Sequence, residues 1–435
     1  MASKFSGLVV RAVVSVALAV TVLALRPATP AAAAWLSSEK ALTTGVAYAG
    51  FPDISGTKVV YSDHRNEHEV GDPDDPDLLY DIRVLDLRTG KDRILTPKHS
   101  AYEDAVISGN RVIWTDYGNG KSTFGIWYHN LSNGTHKRLF SGSMPKIDGI
   151  RLCYEKNSRI YVYNFSTRHA KAISPKSMIA GACDISGTTV IWQAHPKGAT
   201  TVDQLYSYNL GAKKLTQLTK SPAKPSLARI DGKLVAWMDE RNAATGNDIY
   251  RYNLGTHTES PVAIAAGFQG FVAVSAGRII WQDERNDGIY LYDVASGVTI
   301  PVTAATSYYW NAAISGNRIV YQDDKVGADQ VYLRTITPPV VKAGAPKSVA
   351  KGTKPLVSGT LLAAGGVAIS GKSVQLQYSS NGSTWHAGAV SLTNIEGKFT
   401  ITGPAITKAT YFRVRFAGSS DFAPAVSGRF RVWVG

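Results

Sequence analysis

The segment Val274-Ser275 … Ile280-Trp281-Gln282-Asp283 … Ile289-Tyr290-Leu291-Tyr292 decides the fold, because it is one of seven. Its first phrase returns as Ile54-Ser55-Gly56 … Val60-Tyr61, Ile107-Ser108-Gly109 … Ile113-Trp114 and Ile147-Asp148-Gly149 … Tyr154. It returns again as Ile185-Ser186-Gly187 … Trp192, Ile230-Asp231-Gly232 … Trp237 and Ile314-Ser315-Gly316 … Val320-Tyr321. The aromatic anchors at 61, 114, 154, 192, 237, 281 and 321 are spaced by 53, 40, 38, 45, 44 and 40 residues. A second phrase follows each first one, as in Leu205-Tyr206-Ser207-Tyr208 and Ile249-Tyr250-Arg251-Tyr252. These runs alternate with period two and are rich in β-branched and aromatic residues, hence strands. Glycine after the Ile-Ser pair suits a tight hairpin that needs a positive φ.

Each unit therefore predicts four short strands, and four strands per period of about 40–45 residues is the signature of a β-propeller blade. The seventh unit stops at Thr335-Ile336-Thr337-Pro338-Pro339, before any outer strand. Glu39-Lys40-Ala41-Leu42-Thr43 supplies the missing one: Leu42 precedes Gly56 by 14 residues, as Leu95 precedes Gly109. The expected fold is all-β, a seven-bladed propeller over residues 35–337 closed by its N-terminal strand. Closure would leave no open sheet edge between the first and last blades.

The phrases Trp237-Met238-Asp239-Glu240-Arg241-Asn242 and Trp281-Gln282-Asp283-Glu284-Arg285-Asn286 resemble TolB-like propeller repeats and those of microbial cell-surface propeller proteins. The resemblance spans roughly 300 residues and implies a fold that hosts many roles. Unlike TolB, this chain carries a further β-rich segment after the repeats.

The termini add location. Lys4 and Arg11 precede an apolar run, Ala12 to Leu25, and small residues at Ala31 to Ala34. The run is short for a membrane span and matches a signal peptide over 1–34, cleaved before Trp35. The mature chain is expected to be secreted, without a transmembrane anchor. After a linker at 338–346, residues 347–435 show short alternating runs separated by turns such as Ser380-Asn381-Gly382. They predict a small immunoglobulin-like β-sandwich, and Gln375-Leu376-Gln377-Tyr378 … Gly382-Ser383-Thr384-Trp385 resembles bacterial modules of that type. Of the chain's net charge of +14, residues 340–435 contribute eleven Lys and Arg against only Glu396 and Asp421. A basic module beside a near-neutral one suits a polyanion such as anionic cell-wall polymer, acidic polysaccharide or extracellular nucleic acid, or else a solvated surface kept soluble by like charge. No specific nucleic-acid motif accompanies the charge.

Several residues are candidates for chemistry. An Asp–Arg pair can hold a polar ligand, which singles out Asp239, Arg241, Asp283 and Arg285. The pattern recurs from unit to unit, and that favours a structural job in the loop. Aromatics gather before the first strand of the units, among them Phe51, Tyr102, Phe271, Tyr308, Tyr309 and Trp310. Tyr102, Tyr309 and Trp310 are the candidate ligand contacts there, with inter-blade packing as the alternative. His64-Arg65-Asn66-Glu67-His68 has a zinc-peptidase spacing but runs into a Pro- and Asp-rich stretch that cannot be helical. Asp72, Asp74, Asp75 and Asp77 offer oxygens to Ca²⁺ or form a solvated tip. Cys153 and Cys183 fall on neighbouring units and can form a disulfide or remain buried thiols. The expected function is a secreted, non-catalytic binding or scaffold protein for an extracellular protein or glycan. The alternative is a carbohydrate-active enzyme, a polysaccharide lyase or glycoside hydrolase, working from the propeller funnel.

Overall fold

The computed structural model describes residues 35–435 apart from 46–47, 64–80, 97–101, 117–124, 200–201, 221, 304–308, 364–365 and 420. Positions 1–34, the acidic stretch with Asp72, Asp74, Asp75 and Asp77, and the His64–His68 motif lie outside the described residues.

Strands Ala49–Ser55, Lys58–Asp63, Asp81–Asp86 and Lys91–Ile94 form the first antiparallel sheet, in chain order. Further four-stranded sheets begin at Tyr102–Ser108, Ser143–Asp148, Met178–Ser186, Pro225–Asp231 and Gln269–Ser275. Tyr309–Ser315 opens another, whose fourth strand is Lys40–Ala41 from the start of the chain. Among the described residues there are thus seven such sheets outside the C-terminal region. Their first strands touch in succession, and that of the last sheet touches that of the first. The architecture is a β-propeller around a central channel.

The seven sequence anchors are its core. Tyr61, Trp114, Tyr154, Trp192, Trp237, Trp281 and Tyr321 are all buried. A buried aromatic of this size removes about 150–250 Å² from water, about 4–6 kcal/mol at about 25 cal/mol per Å².

The Ile-Ser-Gly phrase has a second job. In each sheet the Ser or Asp side chain accepts a hydrogen bond from the turn amide of the next sheet. Ser55 accepts from Gly109, Ser108 from Gly149, Asp148 from Gly187 and Ser186 from Gly232. Asp231 accepts from Ala276, Ser275 from Gly316, and Ser315 from Gly56. The last bond returns to the first sheet. Each turn residue has a positive φ, between 52° and 62°, which glycine adopts at least cost and which Ala276 adopts in the sixth sheet.

The N-terminal segment takes the place of a fourth strand in detail. Lys40 pairs with Leu333 and Ala41 with Tyr332. Leu42 N–H donates to the Val331 carbonyl, Ser37 N–H to Thr335 and Thr337 N–H to Trp35. Elsewhere a hydroxyl after the fourth strand accepts from the amide of the second residue of the third strand: Thr96 from Ile82, Ser174 from Ile160, Thr219 from Leu205 and Thr303 from Ile289. In the last sheet Thr43 accepts from Val331.

In the C-terminal region, Val340–Gly344, Leu356–Leu362 and Lys398–Thr402 form one sheet. A second runs Ser348–Val349, Phe430–Val434, Thr410–Phe416, Ser373–Ser379, His386–Leu392, with Ala425–Val426 alongside. The two share a core of Val357, Leu361, Val374, Leu376, Phe412 and Val414. Residues 338–346, read as linker, differ: Val340–Gly344 pairs along Leu356–Leu362 because Val341 supplies a buried side chain to that core. Ala423 of this region joins the core cluster that holds Trp35, whose indole N–H donates to the Ser419 carbonyl at 2.9 Å.

Candidate functional site in the central channel

Each first strand carries a one-residue bulge three positions before its conserved-in-repeat Ile or Val. The bulged residue is left-handed without being glycine at Phe51, Met144, Ala182, Leu227, Phe271 and Asn311 (φ 45–51°). Bulges bend a strand and re-aim its side chains. Here they place Phe51, Leu227, Phe271 and Asn311 in the wall of a channel cavity of about 370 Å³. Two of the amides are held across sheets, Phe51 N–H by Gln322 Oε1 and Leu227 N–H by Gln193 Oε1.

Deeper in the channel, the residue before each repeat Ile or Val faces the same cavity. In chain order, and so around the ring, these are Asp53, Val106, Lys146, Asp184, Arg229, Ala273 and Ala313. One side of the channel is thus charged with alternating signs, Lys146, Asp184 and Arg229. The other carries Ala273, Ala313 and the phenyl rings of Phe271 and Phe51, with Asn311 and the Asp53 carboxylate among them.

The two carboxylates are tied to the wall. Asp53 accepts from its neighbour Ile54 and from Ile107 of the next sheet, at 2.9 and 2.8 Å. Asp184 accepts from Ile185 and, across the sheet boundary, from Ile230, at 2.8 and 2.9 Å. Burial pushes both carboxyls above their usual range, against the amides and the positive charges of Lys146 and, for Asp184, Arg229. The Arg229 guanidinium donates to the Ala228 carbonyl at 3.2 Å and adds positive charge beside Asp184. The set can hold a ligand that offers an anionic group to Lys146 and Arg229 and an apolar or ring face to the opposite wall.

Asp239, Arg241, Asp283 and Arg285 do not line this cavity. Asp239 is fully buried and accepts from Trp237 Nε1 (2.8 Å), Lys224 N–H (3.1 Å), and the Arg241 backbone, Nε and Nη2 (2.9, 3.0 and 2.7 Å). Arg241 also reaches Glu259 at 2.5 Å and lies 4.0 Å from the Tyr250 ring centroid. Asn242 donates to Asp248 at 2.6 Å. Asp283 repeats the clamp on Arg285 at 2.5 and 2.8 Å. In the last sheet Lys325 replaces the arginine, pairs with Asp323 at 3.1 Å and is met by Glu39 from the N-terminal segment. These groups stiffen their own sheets. Tyr102, Tyr309 and Trp310 open first strands, opposite Asp116, Asp323 and Gln322 respectively; their side chains lie outside the described residues.

Cys153 and Cys183 are buried in one core cluster between neighbouring sheets, as free thiols. Burial and the adjacent Cys183 thiol push Cys153 far above the ordinary thiol value. Among the described residues no group of three or more His, Cys, Asp or Glu is placed to hold a metal ion. No described helix is long and apolar enough to cross a membrane.

A titratable pair stands apart from the channel. His129 and His136 face each other at 3.5 Å between ring nitrogens, beside Trp114 and Trp127. Burial holds both below the ordinary histidine value of 6.5, and the nearby Arg93 charge lowers His129 further. The unfolded chain takes up these protons near that value and the folded chain resists them. This contribution to stability is therefore full above the unfolded value and is lost as the pH falls through the depressed folded values. Thermal unfolding followed from about pH 7.5 to about pH 5 should show a falling midpoint. The His129→Gln/His136→Gln variant should flatten that fall; an unchanged slope would contradict the assignment.

No family model and no curated protein matches this chain. Solved structures do. The β-propeller domain of the Trilobed protease from Pyrococcus furiosus, described as having an open velcro topology, is 12% identical. The match covers 66% of this chain and 95% of that one, with a TM-score of 0.49. The acylaminoacyl peptidase of Pyrococcus horikoshii is 11% identical over 72% of this chain, which spans 57% of the peptidase, with a TM-score of 0.49. TolB from Acinetobacter baumannii is 14% identical, over 62% of this chain and 78% of TolB, with a TM-score of 0.38. Nothing of their activity follows for this chain from likeness at this level.

Proposed function

We propose that the chain is a secreted, non-catalytic binding protein. In this reading it is a seven-bladed propeller closed by its N-terminal strand and followed by an immunoglobulin-like sandwich. The channel takes part of an extracellular protein or glycan, and the basic C-terminal module keeps the molecule near anionic cell-wall polymer. The observation that carries the channel reading is the uneven ring: Lys146, Asp184 and Arg229 on one side, and Ala273, Ala313 and two phenyl rings, with Asp53 among them, on the other. These residues differ from sheet to sheet, whereas scaffold residues recur, and a site needs its groups once.

Peptide and glycan arrays probed with the wild-type chain test it. The strongest ligand found is then titrated against Lys146→Gln/Arg229→Gln. Loss of both cations should weaken an anionic ligand at least tenfold, about 1.4 kcal/mol. Unchanged affinity in a folded variant would overturn the channel assignment.

One observation favours the enzyme reading as second choice. Asp53 and Asp184 share the channel, both are raised by burial, and the charge of Asp184 adds to the rise at Asp53. A glycoside hydrolase needs two such carboxyls flanking a bond. Against it, both oxygens of each carboxylate already accept backbone hydrogen bonds. Release of sugar products from a polysaccharide panel, abolished by Asp53→Asn or Asp184→Asn, would replace the binding reading.

A further inference from the structure

The positive charge of the C-terminal module is arranged. Its only two acids are used locally, Glu396 by Lys398 at 2.6 Å and Asp421 by Lys372 at 2.9 Å. Among the described residues, Arg413, Arg429 and Arg431 make no ion pair. Arg413 and Arg431 point from adjacent strands to the outer side of the larger sheet, because the alternate residues Phe412, Val414 and Val432 are buried in its core.

Each of these two guanidinium groups lies over an aromatic ring. Arg413 is 4.1 Å from the Trp385 centroid, and Arg431 is 3.9 Å from Trp433 and 5.0 Å from Tyr411. An arginine stacked by its flat face keeps its in-plane N–H fork for a carboxylate or phosphate. Gln377 Oε1 accepts from Arg413 Nε at 2.7 Å and fixes that fork. Burial, and to a lesser degree the neighbouring Arg415 charge, holds Arg413 below its ordinary value. Trp433 is 51% exposed, a large apolar surface left open beside the charge.

We propose that this sheet face binds an acidic polysaccharide, with the carboxylates of its sugar rings on Arg413 and Arg431 and a ring face on Trp433. The inference rests on the reading of the basic module as the part that holds anionic envelope polymer, and adds the face and the ligand class. Sugar rings favour it over a bare polyphosphate chain, because about half of Trp433 stays open beside Arg431 and a bare chain would leave that surface uncovered.

Binding of the full mature chain to immobilised polygalacturonate, neutral dextran and single-stranded DNA tests the proposal. The expected result is salt-sensitive binding to polygalacturonate, none to dextran, and weaker binding to DNA. Arg413→Gln/Arg431→Gln should lose at least roughly tenfold in affinity, and Trp433→Ala several-fold with no change in charge. The channel variant Lys146→Gln/Arg229→Gln should bind polygalacturonate as the wild type does. Absent polygalacturonate binding, full retention by the double arginine variant, or equal DNA binding with no effect of Trp433→Ala would each overturn it. Salt-sensitive attachment to a cell-wall preparation, measured in parallel, separates the two levels. If that attachment persists, only this face and ligand class fall. If it is absent as well, the envelope reading falls too.

Discussion

Replacing Trp35 by alanine is expected to lower the stability of the propeller by about 3–5 kcal/mol, the usual cost of emptying a buried tryptophan site. The side chain is fully buried and packs in one cluster with Leu36, Ile289, Ile300, Tyr321 and Ile336. Its indole N–H satisfies the Ser419 carbonyl, and its own carbonyl accepts from Thr337. The substitution leaves a cavity at the seam and an orphaned acceptor on the C-terminal module. Urea unfolding followed by circular dichroism measures the loss. Trp433→Ala is the control: that ring is half exposed, and its removal should change stability by no more than about 0.5 kcal/mol. Equal effects of the two substitutions would show that Trp35 is not part of the core.

The second large effect is expected at Asp239, in a clamp that sequence reading also offers as a ligand contact. Asp239→Ala should cost about 3–5 kcal/mol, because it removes the buried partner of Arg241, leaving only Glu259, and strands the Trp237 N–H without an acceptor. Burial pulls the Asp239 carboxyl up, but the hydrogen bonds from Arg241 and Trp237 outweigh it and hold the group below its usual value of 3.8. Its stabilisation is therefore present above the unfolded value and is lost as the pH falls through the lower folded value. Asp239→Asn should remove that acid dependence. Channel-ligand affinity per folded molecule should stay unchanged in both variants. A loss of affinity without a loss of stability would return Asp239 to the ligand site.

The sheets were legible because their signal is local: alternation, an aromatic anchor and a turn glycine, repeated. The closing strand was legible by counting, and Thr43 stands where Thr96, Thr219 and Thr303 stand in their own sheets. The serine of Ile-Ser-Gly read only as a turn marker, since its partner amide lies 41 to 54 residues away in Gly149 of one neighbour and Gly109 of another. The channel ring was missed for a different reason. A repeat directs the eye to what recurs, and Asp53, Lys146, Asp184 and Arg229 are what does not. Their direction also depends on the bulge upstream, and that bulge sits on phenylalanine, methionine, alanine or leucine, with no glycine to mark a left-handed residue. Aligning the seven units and reading the column before the Ile would have found the charges, though not the way they face. Of the aromatic residues, Phe51 and Phe271 reach the channel because they are themselves the bulged residues.

The central claim is that residues 35–43 complete the last sheet and close the ring. Native-state amide hydrogen exchange on the intact protein tests it directly. The amides of Ser37 and Leu42, bonded to Thr335 and Val331, should exchange only as slowly as the core strand Gln330–Thr335 opens. Rapid exchange at Ser37 and Leu42, with Gln330–Thr335 still protected, would mean that the segment lies free and the ring is open.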